Sequence, residues 1–304
     1  MGTPAFALPT LEALVREHTV VGVVTQPDRE AGRGRALTPP PVKTTALTYG
    51  LPVIQPKTLR DPAAVAQLRA WAPEVVVVAA FGQLLRTDVL AIPPYGCLNV
   101  HASLLPKHRG AAPVPAAILA GDAVTGVTIM QIDPGLDTGP ILAQRPEPIC
   151  PDDTTGTLSE RLARLGADLL IEILPRWLAG EIQPVPQDDA AATLAPQLRK
   201  EDGRLDWTRP AVELERRVRA FSPWPGAFTT LGGLVLHVRS AALAEHGAAG
   251  EPGRVILLEQ GRIGVVTGRG ALELKEVQLA GRRALAAAEF ARGRRDFIGA
   301  RLGT

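Results

Sequence analysis

The sequence predicts two domains of different class, a mostly parallel α/β domain followed by a small all-β barrel. Three observations carry this. Apolar strand-like runs alternate with helix-like segments over the first 180 residues, which is the pattern of a parallel sheet wrapped by helices. Hydrophobic periodicity then lapses across a polar, Pro-containing stretch. Beyond it, short strand-like runs recur at roughly ten-residue spacing between Gly turns, the pattern of a small barrel. The expected boundaries are 1–179 for the first domain, 180–207 for a linker and 208–304 for the second domain.

A chain of 304 residues gives each half enough length to bury a core. With 46% hydrophobic and 21% charged residues it reads as a soluble globular protein. No apolar run approaches the ~20 residues that span a bilayer, and no basic segment followed by an apolar one marks a secretory signal. Cys97 and Cys150 are two isolated thiols, which speaks against a disulfide framework or a Cys-rich metal site and fits a reducing cytoplasm. The five histidines are scattered without an H-x-x-x-H pair, so no metal is expected.

Taken in order, Thr19–Thr25 reads as a buried strand and Pro52–Gln55 as a short one. Pro62–Trp71 has helical spacing. Val75–Ala80 and Cys97–His101 are strands, Pro113–Ala120 is helical, and Thr125–Ile132 is a strand. The turn cluster Asp133-Pro-Gly-Leu-Asp-Thr-Gly139 lets Ile141–Arg145 return as a neighbour. Leu158, Leu162, Leu165, Leu169 and Ile173 recur every three or four residues, so Thr155–Leu178 is a long amphipathic helix, with Pro175 able to kink it. In the second half, Ala211–Ala220 and Ala284–Arg294 are helical, and Leu234–Val238, Arg254–Leu258, Ile263–Val266 and Ala271–Val277 are strands.

Charge is divided unevenly. Residues 203–304 hold 16 Lys+Arg against 10 Asp+Glu, whereas residues 1–202 hold 17 against 21. A basic second half suits either a polyanionic partner or a solvated Arg-rich surface.

Asn99 and His101 lie two apart at the end of a strand, so they share one face where α/β sheets bind ligands. Asn supplies a neutral donor for a developing oxyanion, and His exchanges a proton near neutral pH. Asp137, in its Gly-rich turn, is placed to bring a carboxylate back to the imidazole. No Ser or Cys nucleophile stands beside a base, so the trio suits direct transfer to an incoming amine rather than a covalent intermediate on the protein. Each residue also has an ordinary structural reading: a loop cap, a core His, a turn Asp.

Two loops add chemistry. Ser103-Leu-Leu-Pro-Lys-His-Arg-Gly-Ala-Ala-Pro113 can present backbone groups to a flat heterocycle, and Phe81-Gly82 permits close backbone approach to a ligand. Residues 26–43 form a long basic Gly/Pro loop whose Arg29, Arg33, Arg35 and Lys43 suit phosphate contacts.

These residues resemble the methionyl-tRNA formyltransferase family from near the first residue to near the last. The matching motifs are Gly2-Thr-Pro4, Thr25-Gln-Pro-Asp28 with its Gly-Arg-Gly loop, Asn99-Val-His101, Ser103-Leu-Leu-Pro106 with Arg109-Gly-Ala-Ala-Pro113, Gly126-Val-Thr-Ile-Met130 and Asp137-Thr-Gly139. Asp206-Trp207 and Arg219-Ala-Phe-Ser-Pro-Trp-Pro225 match in the second half. The resemblance implies a Rossmann-like formyltransferase domain binding 10-formyltetrahydrofolate, and a small all-β, OB-like C-terminal domain that helps hold tRNA. It implies catalytic roles for Asn99, His101 and Asp137, and folate contact by Ser103, Leu104, Leu105 and Pro106, beside Phe81 and Gly82. It also implies that the loop carrying Arg29, Arg33, Arg35 and Lys43 meets the acceptor stem.

The expected reaction is transfer of the formyl group of 10-formyltetrahydrofolate to the free amine of initiator methionyl-tRNA. It proceeds by direct amine attack through a tetrahedral intermediate, without a metal, in a cytoplasmic monomer that does not engage a membrane. Alternatives are a formyltransferase of the same superfamily acting on glycinamide ribonucleotide or an amino-sugar nucleotide, and a tRNA-binding protein with impaired catalysis. A dinucleotide oxidoreductase is disfavoured because no G-x-G-x-x-G follows a strand. Parallel α/β domains usually open on an apolar strand, as the family does. Met1-Gly-Thr-Pro4 reads as the turn after such a strand, so the expectation is that the first strand is missing and that Met1 is internal to a longer chain.

Overall fold

The structure is a computed structural model that describes residues 1–31, 36–245 and 250–303. It divides into two compact units. The first comprises residues 1–113, 123–148 and 158–196; the second comprises 114–122, 149–157 and 197–304. The stretch expected as a linker, 180–207, is thus shared between them. Its first part pairs by backbone hydrogen bonds with residues 106–112 and 141, which gives it a fixed place in the first unit.

The first unit carries α1 (Leu8–Glu17), β1 (Val23–Val24), a small hairpin of β2 (Arg29–Ala31) and β3 (Ala36–Thr38), α2 (Pro41–Thr48), β4 (Val53–Ile54) and α3 (Pro62–Trp71). It continues with β5 (Val76–Val78), α4 (Thr87–Leu90), β6 (Cys97–His101), α5 (Pro113–Ala120), β7 (Val124–Gln131), β8 (Ile141–Pro148) and α6 (Thr155–Leu178). Most of α5 and the first residues of α6 belong to the second unit. Local chemistry sets the helix starts. Asp61 accepts the Ala63 amide, and Pro62 supplies a φ suited to the first turn of α3.

The strands β1 and β4 pair in parallel, as do β5 and β6. Met1 and Gly2 join the two pairs. The Gly2 amide donates to Val24, and the Ala79 amide donates to Met1. The opening residues, read from sequence as a bare turn, therefore occupy a strand position. An apolar cavity of about 500 Å³ lies beside them, lined by Leu11, Val23, Trp71, Val77 and Leu174. The expected sheet was mostly parallel, but β6–β7 and β7–β8 are both antiparallel. The 11-residue loop 102–112 precedes α5, so the connection is not a plain strand-helix-strand crossover, and β7 returns alongside β6 in the opposite direction.

Helix α6 covers one face of this sheet. Leu158, Leu162, Leu169, Leu170 and Ile173 are buried, each contributing on the order of 1.5–3 kcal/mol. Gly166 allows the close approach: a Cβ there would lie 2.6 Å from Val100 Cγ1. Val100 faces α6, so strand alternation sends Asn99 and His101 to the other face.

The second unit is built on α7 (Ala211–Ala220), β9 (Ala227–Leu231), β10 (Leu234–Leu243), β11 (Val255–Leu257), β12 (Ile263–Val266), β13 (Ala271–Leu279), β14 (Leu285–Ala286) and α8 (Ala287–Gly293). Its antiparallel sheet runs β11-β12-β13-β10-β9, with β14 on β13, and this is the all-β second domain expected. Register shifts between Val238 and Ala241 bend the long β10, the local device by which a small sheet wraps a core. That core holds Trp207, Leu214, Leu236, Val265, Leu272 and Phe297. Among the described residues, no helix is long and apolar enough to cross a membrane.

Candidate active site

Strand β6 delivers Asn99 and His101 to the sheet face opposite α6, and three irregular segments close over them: 103–112, 133–139 and 185–196. The turn after β7 folds back so that Asp137 reaches both side chains. Its Oδ2 lies 3.7 Å from His101 Nδ1, and its Oδ1 accepts a long hydrogen bond from Asn99 Nδ2 at 3.4 Å. Oδ2 also accepts the Gly110 amide at 2.8 Å. Asp137 holds φ +52, a left-handed conformation that costs most L-residues about 1–2 kcal/mol and that Asp tolerates better than most.

His101 is 5% exposed. Its Nε2 lies 3.1 Å from the His108 carbonyl oxygen, which only accepts, so Nε2 carries the hydrogen in the neutral ring. The lone pair therefore sits on Nδ1, facing Asp137. Burial lowers the imidazole pKa below its ordinary 6.5, and the neighbouring His108 ring pushes the same way; the Asp137 carboxylate and the His108 carbonyl oppose the shift. The ring is neutral at pH 7, and the proton it gains arrives on Nδ1, between itself and Asp137. Asp137 thus stabilises the imidazolium, while the His108 carbonyl fixes the tautomer.

Loop 103–106 is pinned from β7 and β8. Thr128 Oγ1 accepts the Leu105 amide at 3.0 Å and donates to the Ser103 carbonyl at 2.6 Å. Gln144 Nε2 donates to Leu105 O at 2.8 Å and to Thr128 Oγ1 at 2.9 Å. Ser103 is fully buried, with its hydroxyl donating to Lys107 O. Leu104 approaches Gly126, where a Cβ would lie 2.7 Å from Leu104 Cδ2. The peptide between Leu105 and Pro106 is cis.

Phe81 and Gly82 follow β5, the parallel neighbour of β6, at the same edge of the sheet. The Phe81 ring is in the core, and its carbonyl accepts from Thr3 Oγ1 and Gln26 Nε2. Gly82 has φ +79, and a Cβ there would lie 2.5 Å from Gln26 Nε2. A polar cavity of about 260 Å³ opens beside it, lined by Gln26, Pro27, Arg29, Lys57, Gly82 and Gln83.

The basic loop is a hairpin. Arg29 is exposed on β2, and its guanidinium donates to Gln26. Lys43 lies in α2 with its ammonium on both Asp28 oxygens at 2.8 and 2.7 Å. Hydrogen bonds from Gln55 and then Lys43 hold the Asp28 carboxyl below the usual carboxylate range. Arg33 and Arg35 lie outside the described residues.

Groups outside the motifs, Gln187, Asp189 and Thr193, hold the site through the motif residues Arg109 and His108. Arg109, 6% exposed, donates from Nε and Nη2 to Gln187 Oε1 at 3.0 and 2.8 Å and from Nη2 to Asp189 at 2.7 Å. Thr193 Oγ1 accepts the His108 amide. Gln187 and Thr193 sit in a stretch with no hydrophobic period, which left no signal to find them by.

Residues 1–174 match the formyl transferase family, and residues 197–295 match the formyl transferase C-terminal domain. Methionyl-tRNA formyltransferase of Chloroflexus aggregans is 55% identical over 295 residues, covering 96% of each chain. This chain belongs to the methionyl-tRNA formyltransferase family. The Myxococcus xanthus member is 51% identical over 96% of this formyltransferase and 93% of its own length.

Solved structures share the fold of this formyltransferase. The N-formyltransferase of Helicobacter canadensis, in complex with folinic acid and dTDP-3-aminofucose, aligns with TM-score 0.65 at 18% identity, over 90% of this chain and 97% of its own. HypX of Aquifex aeolicus, in complex with tetrahydrofolic acid, aligns with TM-score 0.59 at 19% identity, over 81% of this chain and 43% of its own.

Proposed function

We propose that this formyltransferase moves the formyl group of 10-formyltetrahydrofolate to the amine of initiator methionyl-tRNA, with Asn99, His101 and Asp137 as its catalytic residues. The observation that carries this reading is their convergence in a chain 55% identical, nearly end to end, to a methionyl-tRNA formyltransferase.

The residues present fit the co-substrate. Gly82, where a Cβ would fill the space against Gln26, leaves backbone exposed to a flat heterocycle beside a polar cavity. Ser103, Leu104, Leu105 and Pro106 continue from His101 and are held by Thr128 on β7 and Gln144 on β8. When bound, the folate supplies the activated formyl carbon.

A free α-amino group titrates near ~7.7–8.0, and an adjacent ester lowers this, so the acceptor is largely nucleophilic at neutral pH. Asn99 turns its amide from the long contact with Asp137 to the developing oxyanion. His101 accepts the ammonium proton at Nδ1, where Asp137 stabilises the charge, and returns it to the leaving nitrogen. Arg29, Arg33, Arg35 and Lys43 meet acceptor-stem phosphates, with the all-β second domain giving further hold on the tRNA. Formyl transfer to initiator methionyl-tRNA, elongator methionyl-tRNA and glycinamide ribonucleotide, compared side by side, tests the reading. A preference for glycinamide ribonucleotide would overturn it.

A further inference from the structure

We propose that Gln187 is a positioning residue for the formyl-transfer site, acting through Asp137 and through the loop that holds His101. This rests on the catalytic reading above and extends it to a residue outside every motif.

Residues 185–196 form a strap along the site. Val185 exchanges two backbone hydrogen bonds with Ile141 at 2.8 Å each. At the other end the Arg109 amide donates to Thr193 O at 2.8 Å, and the Ala195 amide donates to Arg109 O at 2.7 Å. Gln187 lies between these anchors, and its amide is saturated. Nε2 donates to Asp137 O at 2.8 Å and to Gly139 O at 2.7 Å, while Oε1 accepts both Arg109 bonds. One side chain thus grips the Asp137 turn on both sides of Thr138 and ties it to Arg109.

The residues flanking Arg109 are those that touch the trio. His108 O receives His101 Nε2, and the Gly110 amide reaches Asp137 Oδ2. Gln187 therefore couples the two loops that approach His101 from its two ring nitrogens. Its amide orientation is dictated, because two carbonyls require donors on one side and a guanidinium requires an acceptor on the other. A carboxylate at 187 satisfies Arg109 but faces two carbonyls it cannot donate to.

The test is kinetic and spectroscopic on the full chain. Gln187→Ala is expected to lower kcat by ~10- to 100-fold, as displaced catalytic groups do, with KM for both substrates nearly unchanged. The 15N-detected titration of His101 should move further down, because Asp137 draws away. Wild-type kcat with an unmoved His101 titration would overturn the proposal. Gln187→Glu keeps the volume if the alanine variant folds poorly. Its activity relative to wild type should rise on acidification, when the neutral acid regains one O–H donor; a flat ratio would count against the proposal. If wild type itself transferred no formyl group, the catalytic reading would fail instead.

Discussion

The segments 103–112 and 133–139 over the candidate site and the paired strands β2 and β3 both lie in stretches that the sequence marks as candidate functional segments, yet they are built on opposite principles. Around His101 the polar groups are buried or half-buried and matched: Arg109 to Gln187, Thr128 to three partners, Asp137 to Asn99 and Gly110. On β2 and β3 the described side chains are exposed, with Arg29 and Glu30 carrying the charge. Proton transfer needs groups fixed to fractions of an ångström, whereas holding a polyanion needs cations within reach. Substitutions in the first should therefore act on turnover and those in the second on affinity.

The largest separation is expected at the trio. His101→Ala or Asp137→Ala should reduce kcat by ~10²–10⁴-fold in a chain that still folds, Asp137→Ala also losing on the order of 1–2 kcal/mol at its left-handed backbone. Near-wild-type turnover in either would remove the distinction. Next comes Gly110→Ala. Gly110 has φ +121, and a Cβ there would lie 2.6 Å from Ala195 O, so loop and strap must part. A loss of about 1–3 kcal/mol in stability, read by denaturant unfolding, should accompany a fall in kcat. Arg29→Ala should leave kcat intact and raise KM for tRNA several-fold, with the salt dependence of binding reduced by about one unit. An effect on kcat alone would place Arg29 with the chemistry instead.

The smallest effect is on pH. Burial keeps His101 below its ordinary 6.5, so between these values the unfolded chain binds the proton more readily. Stability is full above about 6.5 and declines as pH falls toward the folded value. Asp137→Asn removes an influence that raises the folded value, so His101 should titrate lower still by NMR. An upward move would contradict this electrostatic arrangement.

The α/β then all-β order was legible because periodicity and Gly spacing are local signals. Asn99 and His101 were legible from strand alternation, and Asp137 from its Gly-rich turn. The reversal of β7 was not, since strand direction depends on how the 102–112 loop crosses the sheet. Lys43 reads as a phosphate ligand, and its pairing with Asp28, 15 residues earlier in the loop before β2, left no local signal. The support from Gln187 and Thr193 was invisible for a related reason. Irregular segments are fixed by individual hydrogen bonds to distant backbone, and such bonds impose no repeat on the sequence.

The strap also sets a schedule. On a ribosome adding ~5–20 residues per second, Asp137 is made roughly 3–12 s before residue 195. A nascent chain therefore carries all three proposed catalytic side chains for several seconds before the segment that braces them exists. Catalytic competence arrives late in synthesis, and a chain cut short before residue 187 would keep the signature of the enzyme without the brace on its site.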